Sequence, residues 1–227
     1  MHDVLLGHVE SGAVPGLVAL VSRKDAVHVD FIGKMSIGGP PIQRNTIFRI
    51  SSMTKPVTAA ATMILVEECK LRLDEPVDRL LPELANRQVL KRIDGPLDET
   101  VPAHRPITVR DLLTFRMGLG YLFPMDEIPI HSAIGDLGLG PGPPRPSADP
   151  APDEFLRRLG TLPLMWPPGE RWLYNTPAEV LSVLVARAAG QGFDAFLHER
   201  IFEPLGMKDT GFSVPAAKLG RLATSYM

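Results

Sequence analysis

The chain has 227 residues, 44% hydrophobic and 22% charged, with a formal net charge of −2. That composition suits one large domain or two lobes and offers no basic excess for nucleic acid. No run of 18 apolar residues occurs, which argues against a membrane span, and the single Cys69 excludes an intramolecular disulfide. The N-terminus has no basic stretch followed by an apolar core, so no signal peptide is read there. A cytoplasmic location is expected.

Residues 2–11 fit a short helix with Val4, Leu5 and Val9 turned inward, and Pro15-Gly16 breaks the chain after it. The apolar run Leu17-Val18-Ala19-Leu20-Val21 predicts a strand covered on both faces. Beyond the Arg23-Lys24-Asp25 turn, Val27, Val29 and Phe31 alternate with His28 and Asp30, the pattern of a half-exposed partner strand. Gly38-Gly39-Pro40-Pro41 is a loop and Ile47-Phe48-Arg49-Ile50 a short extended piece. Ser51-Ser52-Met53-Thr54-Lys55-Pro56 then opens a helix. Proline has no N–H to give and is tolerated only in the first turn, so the helix starts near Ser51 or Ser52. Val57 through Val66 carries no charge, which predicts a central helix buried on nearly all sides.

Leu71 to Val77 reads as an irregular exit. Short helices are predicted at 76–81 and, with Thr108 as N-cap, at 109–115, ending at Gly118-Leu119-Gly120. From Gly135 to Pro152 glycine and proline dominate, and such an excursion cannot pack a core of its own. Helix returns at 152–159, Trp166 to Glu170 is a turn, and residues 177–189 and 192–201 are two further helices. Pro204 to Met227 is loop-like. No strand candidate follows residue 50, and a lone hairpin wants further strands beside it. The expected organisation is a sheet-side lobe, 1–50 and 203–227, with an incomplete sheet, and a mainly helical lobe, 51–202, carrying the 135–152 excursion.

Ser52 and Lys55 form an S-x-x-K pair, three residues apart on one helical face. Ser52 stands at the positive end of the helix dipole, where a developing oxyanion is favoured. The bland alternative is a helix-capping serine beside a solvated lysine. Other catalytic templates are missing: no G-x-S-x-G elbow, no GxxxxGK[ST] loop and no GxGxxG fingerprint. The six histidines are scattered, none at i, i+4 spacing on a helix, so neither a metal site nor a cofactor is expected. A serine nucleophile needs a group to take its proton. Lys55 is the local one. Of the three tyrosines, 121, 174 and 226, Tyr174 sits in a rigid turn between Pro167-Pro168-Gly169 and a helix. Its competing role is a core aromatic beside Trp172.

Six segments carry a family resemblance in chain order. They are Val14-Pro15-Gly16, Thr46 through Pro56, Leu71-Arg72-Leu73-Asp74-Glu75-Pro76-Val77, Pro106 through Thr114, Pro168-Gly169-Glu170 to Tyr174-Asn175, and Pro204-Leu205-Gly206-Met207 to Phe212. With them the sequence resembles the serine β-lactamase-related hydrolases: class C β-lactamases, DD-peptidases and β-lactamase-like carboxylesterases. The resemblance implies an α/β (α+β) fold of the β-lactamase/transpeptidase type, an antiparallel sheet flanked by helices plus a mainly helical lobe. It also implies an acyl-enzyme on Ser52, with Lys55 and Tyr174 as acid and base, and Asn175, Thr176 and Tyr121 contacting a small ester or lactam substrate. Two departures matter. Thr176 replaces the family's third-position asparagine, which favours esters over lactams or peptides. The strand motif K-T-G or H-x-G is missing, and Lys218-Leu219-Gly220 is read as a coincidence. The chain is therefore expected to be C-terminally truncated and, alone, weakly active or inactive. A carboxylesterase leads. A β-lactamase or DD-peptidase, an acyltransferase and a non-catalytic remnant stand as alternatives.

Overall fold

The computed structural model describes residues 1–122, 128–140, 142, 145 and 147–226. Pro141, Pro143, Pro144 and Pro146 of the expected excursion lie outside the described residues. Two units are formed, Met1–Ile50 with Lys208–Met227, and Ser51–Met207.

The first unit is built on α1 (His2–Glu10) and the hairpin of β1 (Gly16–Arg23) and β2 (Ala26–Gly33). Register runs from Gly16 opposite Gly33 to Arg23 opposite Ala26. Opposed residues share a face. One face takes α1: Ile32 and Asp30 are buried there, and His2 Nδ1 lies 3.3 Å from Asp30 Oδ1. The other face carries Val18, Leu20, Val27 and Phe31, all exposed. The expected double cover of β1 is thus corrected. An apolar run announces a strand, but which layers cover it depends on distant elements. In α1 the partly buried residues are Leu5, Leu6 and Val9, whereas Val4, expected inward, is exposed. The last residues run alongside the loop after the hairpin, where Ile47 N–H donates to the Arg221 carbonyl at 2.8 Å and Ala223 N–H to the Ile47 carbonyl at 2.9 Å.

The second unit opens with a turn of 3₁₀ helix, Ser51–Met53, running into α2 (Thr54–Glu67), as the position of Pro56 predicts. Thr58, Ala61, Thr62 and Leu65 form its buried stripe, while Pro56, Ala60 and Met63 are exposed. The expectation of a helix buried nearly all round is therefore corrected to one buried face. A short hairpin, β3 (Gln88–Leu90) with β4 (Thr100–Pro102), overturns the expectation of no strand after residue 50. Three-residue strands leave too little alternation to read. The predicted helix at 76–81 is a 3₁₀ turn, Val77–Arg79.

Next comes α3 (Val109–Leu113), with the capping box complete: Asp111 N–H donates to Thr108 Oγ1 at 3.2 Å, and Thr108 N–H to the Asp111 carboxylate at 2.9 Å. The helices α4 (Pro129–Asp136), α5 (Pro152–Gly160), α6 (Thr176–Ala189) and α7 (Phe193–Leu197) follow. The last helix widens into a π turn, His198–Phe202. At the centre is α6, packed against α2, α3, α5 and α7. Its Val180, Leu181, Val183, Leu184 and Val185 are buried, each contributing about 1.5–3 kcal/mol of transfer energy. Gly190 ends it in the left-handed conformation at φ +70°, where a glycine carries no Cβ penalty. The carbonyls at the end of α5 (Leu159, Gly160 and, just beyond it, Leu162) accept from the buried guanidinium of Arg87. Among the described residues no single helix is long and apolar enough to cross a membrane.

Candidate active site

Two segments of the second unit meet. The first is the entry to α2. Ser51 holds φ +41°, uncommon for a residue with a side chain, and Ser52 follows, exposed to solvent. One turn on, Lys55 Nζ donates to Ser52 Oγ at 3.1 Å.

The second segment is the approach to α6. Leu173 is fully buried and its N–H donates to the Phe115 carbonyl at 2.8 Å. Tyr174 is locked by two backbone bonds to Tyr121, N–H to carbonyl in each direction at 2.8 and 2.9 Å. Phe115 stacks on both Trp172 and Tyr174, with ring centroids 6.1 Å apart in each pair. A tyrosine fixed by its backbone and braced by two aromatic rings presents its phenol with little freedom. That phenol lies 2.9 Å from Ser52 Oγ, and Lys55 Nζ stands 4.6 Å from the ring centroid. The hydrogen bond with Ser52, then the hydrogen bond and charge of Lys55, hold the Tyr174 pKa below its ordinary value.

Ser52, Lys55 and Tyr174 therefore form one cluster. Thr176 and Tyr121 are buried, 3% and 2% exposed, and the Tyr121 hydroxyl donates to the Leu139 carbonyl at 3.4 Å. Burial pushes the Tyr121 phenol well above its ordinary pKa. The Asn175 amide is engaged, donating from Nδ2 to Glu179 Oε1 at 2.9 Å. Glu179 and Phe115 were not singled out by sequence. The i, i+4 spacing from Asn175 to Glu179 was the available signal for one, and nothing marked the other. Lys218, the formal K-x-G lysine, lies in a 3₁₀ turn, Ala216–Arg221, and pairs with Asp209 at 2.7 Å. Among the described residues no cluster of metal-ligating side chains occurs.

Fold and cluster together define a chain of the β-lactamase/transpeptidase-like class. It superposes with a TM-score of 0.82 on EstCE1, a hydrolase with promiscuous acyltransferase activity, at 27% identity over 99% of this chain and 55% of that one. Residues 2–227 match the sequence profile of the Beta-lactamase family, and the chain belongs to that family. It is 43% identical over 219 residues to Protein Rv1367c of Mycobacterium tuberculosis, covering 96% of this chain and 52% of that protein. It is 35% identical over 217 residues to esterase EstB of Burkholderia gladioli, covering 93% and 50%. The chain spans about half the length of these relatives.

Proposed function

We propose that the protein is a serine hydrolase acting on carboxylic esters of small acyl groups through an acyl-enzyme on Ser52. The supporting observation is a single exposed serine hydroxyl within hydrogen-bond reach of both a lysine and a tyrosine whose pKa is lowered. In this reading the deprotonated Tyr174 takes the Ser52 proton as Oγ attacks the ester carbonyl. Lys55 keeps the phenolate stabilised by its charge. Tyr174 then returns the proton to the departing alcohol, and water repeats the sequence in reverse to release the acid. The Ser52 N–H, in the first turn of its helix, is the proposed oxyanion donor.

Esters are favoured over lactams because the Asn175 amide is engaged by Glu179 and Thr176 is buried, so the pair offers no free amide to a peptide-like substrate. Transfer of the acyl group to an alcohol other than water is the second reading, favoured by the likeness to EstCE1.

A fluorophosphonate probe is expected to add once to the protein by intact mass, and the Ser52→Ala variant to take up none. Weak turnover of p-nitrophenyl butyrate without turnover of nitrocefin is expected of this chain by itself. The reverse pattern would turn the reading toward a lactamase, and no adduct at Ser52 would leave a non-catalytic protein. Added alcohol that diverts product into a new ester would establish the transferase.

The placement of Tyr174 also sets an expectation for Gly120. A Cβ there would lie 2.7 Å from the Tyr174 carbonyl oxygen and 3.0 Å from Leu173 Cβ. Gly120→Ala must push the Tyr174 backbone away, at about 1–3 kcal/mol of stability, and slow labelling of Ser52 at least tenfold. Labelling at the unmodified rate would show that this backbone contact does not place the phenol.

A further inference from the structure

Asn175 is held at φ +73°, ψ −70°, and the Thr176 N–H donates to the Tyr174 carbonyl at 3.1 Å. This is a γ-turn of the rare, strained hand, and a residue with a side chain stays in such a conformation only where its surroundings over-determine it. Glycine would take it freely. The turn lies between the residue that presents its phenol to Ser52 and the first residue of α6, so relaxation here would swing Tyr174.

Three features hold it. Tyr174 is tied to Tyr121 on one side, and α6 with Pro177 in its first turn is fixed on the other. Between them Asn175 Nδ2 reaches one helical turn forward to Glu179 Oε1 at 2.9 Å. Glu179 is open to solvent, yet protein crowds its carboxyl. That crowding raises its pKa, aided by the charge of Asp149 and opposed by the Asn175 bond and the charge of Lys55.

We propose that Glu179 is a positioning residue for the Ser52 chemistry: by accepting the Asn175 amide it clamps the strained turn that sets the Tyr174 phenol against Ser52. The inference rests on the proposed roles of Ser52 and Tyr174. The clamp needs an acceptor oxygen rather than a charge, so glutamine should replace glutamate and alanine should not. It also exists to hold a strained asparagine, so the Asn175→Gly substitution should make it dispensable.

The test compares Glu179→Ala, Glu179→Gln, Asn175→Gly and the Asn175→Gly/Glu179→Ala double variant with the unmodified chain, each checked for folding by circular dichroism. Two signals are read. One is the rate of fluorophosphonate addition to Ser52. The other, independent of reactivity, is titration of the Tyr174 phenol at 295 nm, identified as the step lost in Tyr174→Phe. Glu179→Ala is expected to slow labelling about ten- to a hundredfold, the order of loss caused by a misplacement of about 1 Å. It should also move the Tyr174 titration up toward the ordinary value of about 10. Glu179→Gln should stay within about threefold and titrate as the unmodified chain. The double variant should match Asn175→Gly in both signals. An unmoved titration in Glu179→Ala overturns the proposal. So does a Glu179→Gln variant as impaired as Glu179→Ala, or an undiminished effect of Glu179→Ala in the Asn175→Gly background. If Ser52 takes no probe in any protein while the Tyr174 titration follows the expected pattern, the clamp stands and the hydrolase reading falls.

Discussion

Tyr174→Phe will leave the fold intact and slow reaction of Ser52 by about 10²–10⁴, the range over which a positioned acid–base group acts. The substitution removes one oxygen from a ring held by backbone bonds to Tyr121 and by stacking on Phe115, and none of those contacts uses the hydroxyl. What is lost is the partner 2.9 Å from Ser52 Oγ. The pH profile gives the sharper reading. A tyrosine accepts a proton only when ionised, so the rate must climb as pH rises through its pKa. Because the Ser52 hydrogen bond and Lys55 hold that pKa down, the limb falls below the ordinary tyrosine value of about 10. The residual activity of Tyr174→Phe should lack it. A Phe variant retaining the full rate and the same limb would assign the base role to Lys55 alone.

The largest effect on stability is expected at Asp111. Its carboxylate is 4% exposed and accepts from both terminal nitrogens of Arg105 at 2.6 and 2.9 Å, and from the N–H and hydroxyl of Thr108 at 2.9 Å each. Asp111→Ala removes a capping box and leaves a guanidinium without its acid. The cost should be about 2–3 kcal/mol, below the figure for a fully buried pair because Arg105 can turn to water. Both tryptophans, 166 and 172, lie in the second unit, so urea unfolding followed by their fluorescence reports the loss directly. Burial pushes the Asp111 carboxyl up, but the Arg105 hydrogen bonds and then Thr108 outweigh it, and the net pKa is lowered. A lowered carboxylate stabilises the fold above its unfolded value of about 3.9, and that stabilisation fades as pH falls through the folded value. The gap between unmodified and Asp111→Ala proteins should therefore be full near pH 6 and narrow below about pH 4. A gap that persists in acid would assign the loss to packing instead.

Thr108 and Ser52 show how far the sequence carried. The N-cap at Thr108 and the helix start before Pro56 were legible because each follows from a backbone rule acting over three or four residues. The packed helix at 177–189 was legible from its apolar run and its glycine stop. Coverage was not legible. Val18 and Leu20, and Ala60 and Met63 on α2, belong to apolar runs whose exposure depends on what lies beside them in space. Nor was α4, which begins on Pro129 beside a stretch dominated by turn formers. At the site, the chemistry of Ser52, Lys55 and Tyr174 could be read because motif and spacing name it. The γ-turn at Asn175 could not, since positive φ at an asparagine leaves no mark in composition. Glu179 looked like any first-turn acid on a helix.

The first unit is assembled from both ends of the sequence, with Ser51–Met207 intervening. Its hairpin is local and can pair within microseconds of leaving the ribosome. The bonds joining Ile47 to Arg221 and Ala223, and Met35 to Thr224, close a loop of the whole second unit and cannot form until that unit has been synthesised. In vectorial synthesis the nascent hairpin therefore waits, with the Met35 and Ile47 carbonyls still without these partners, while the helical unit forms behind it. Closing the loop does not cover the Val18, Leu20 and Phe31 face, which is exposed in the folded unit as well.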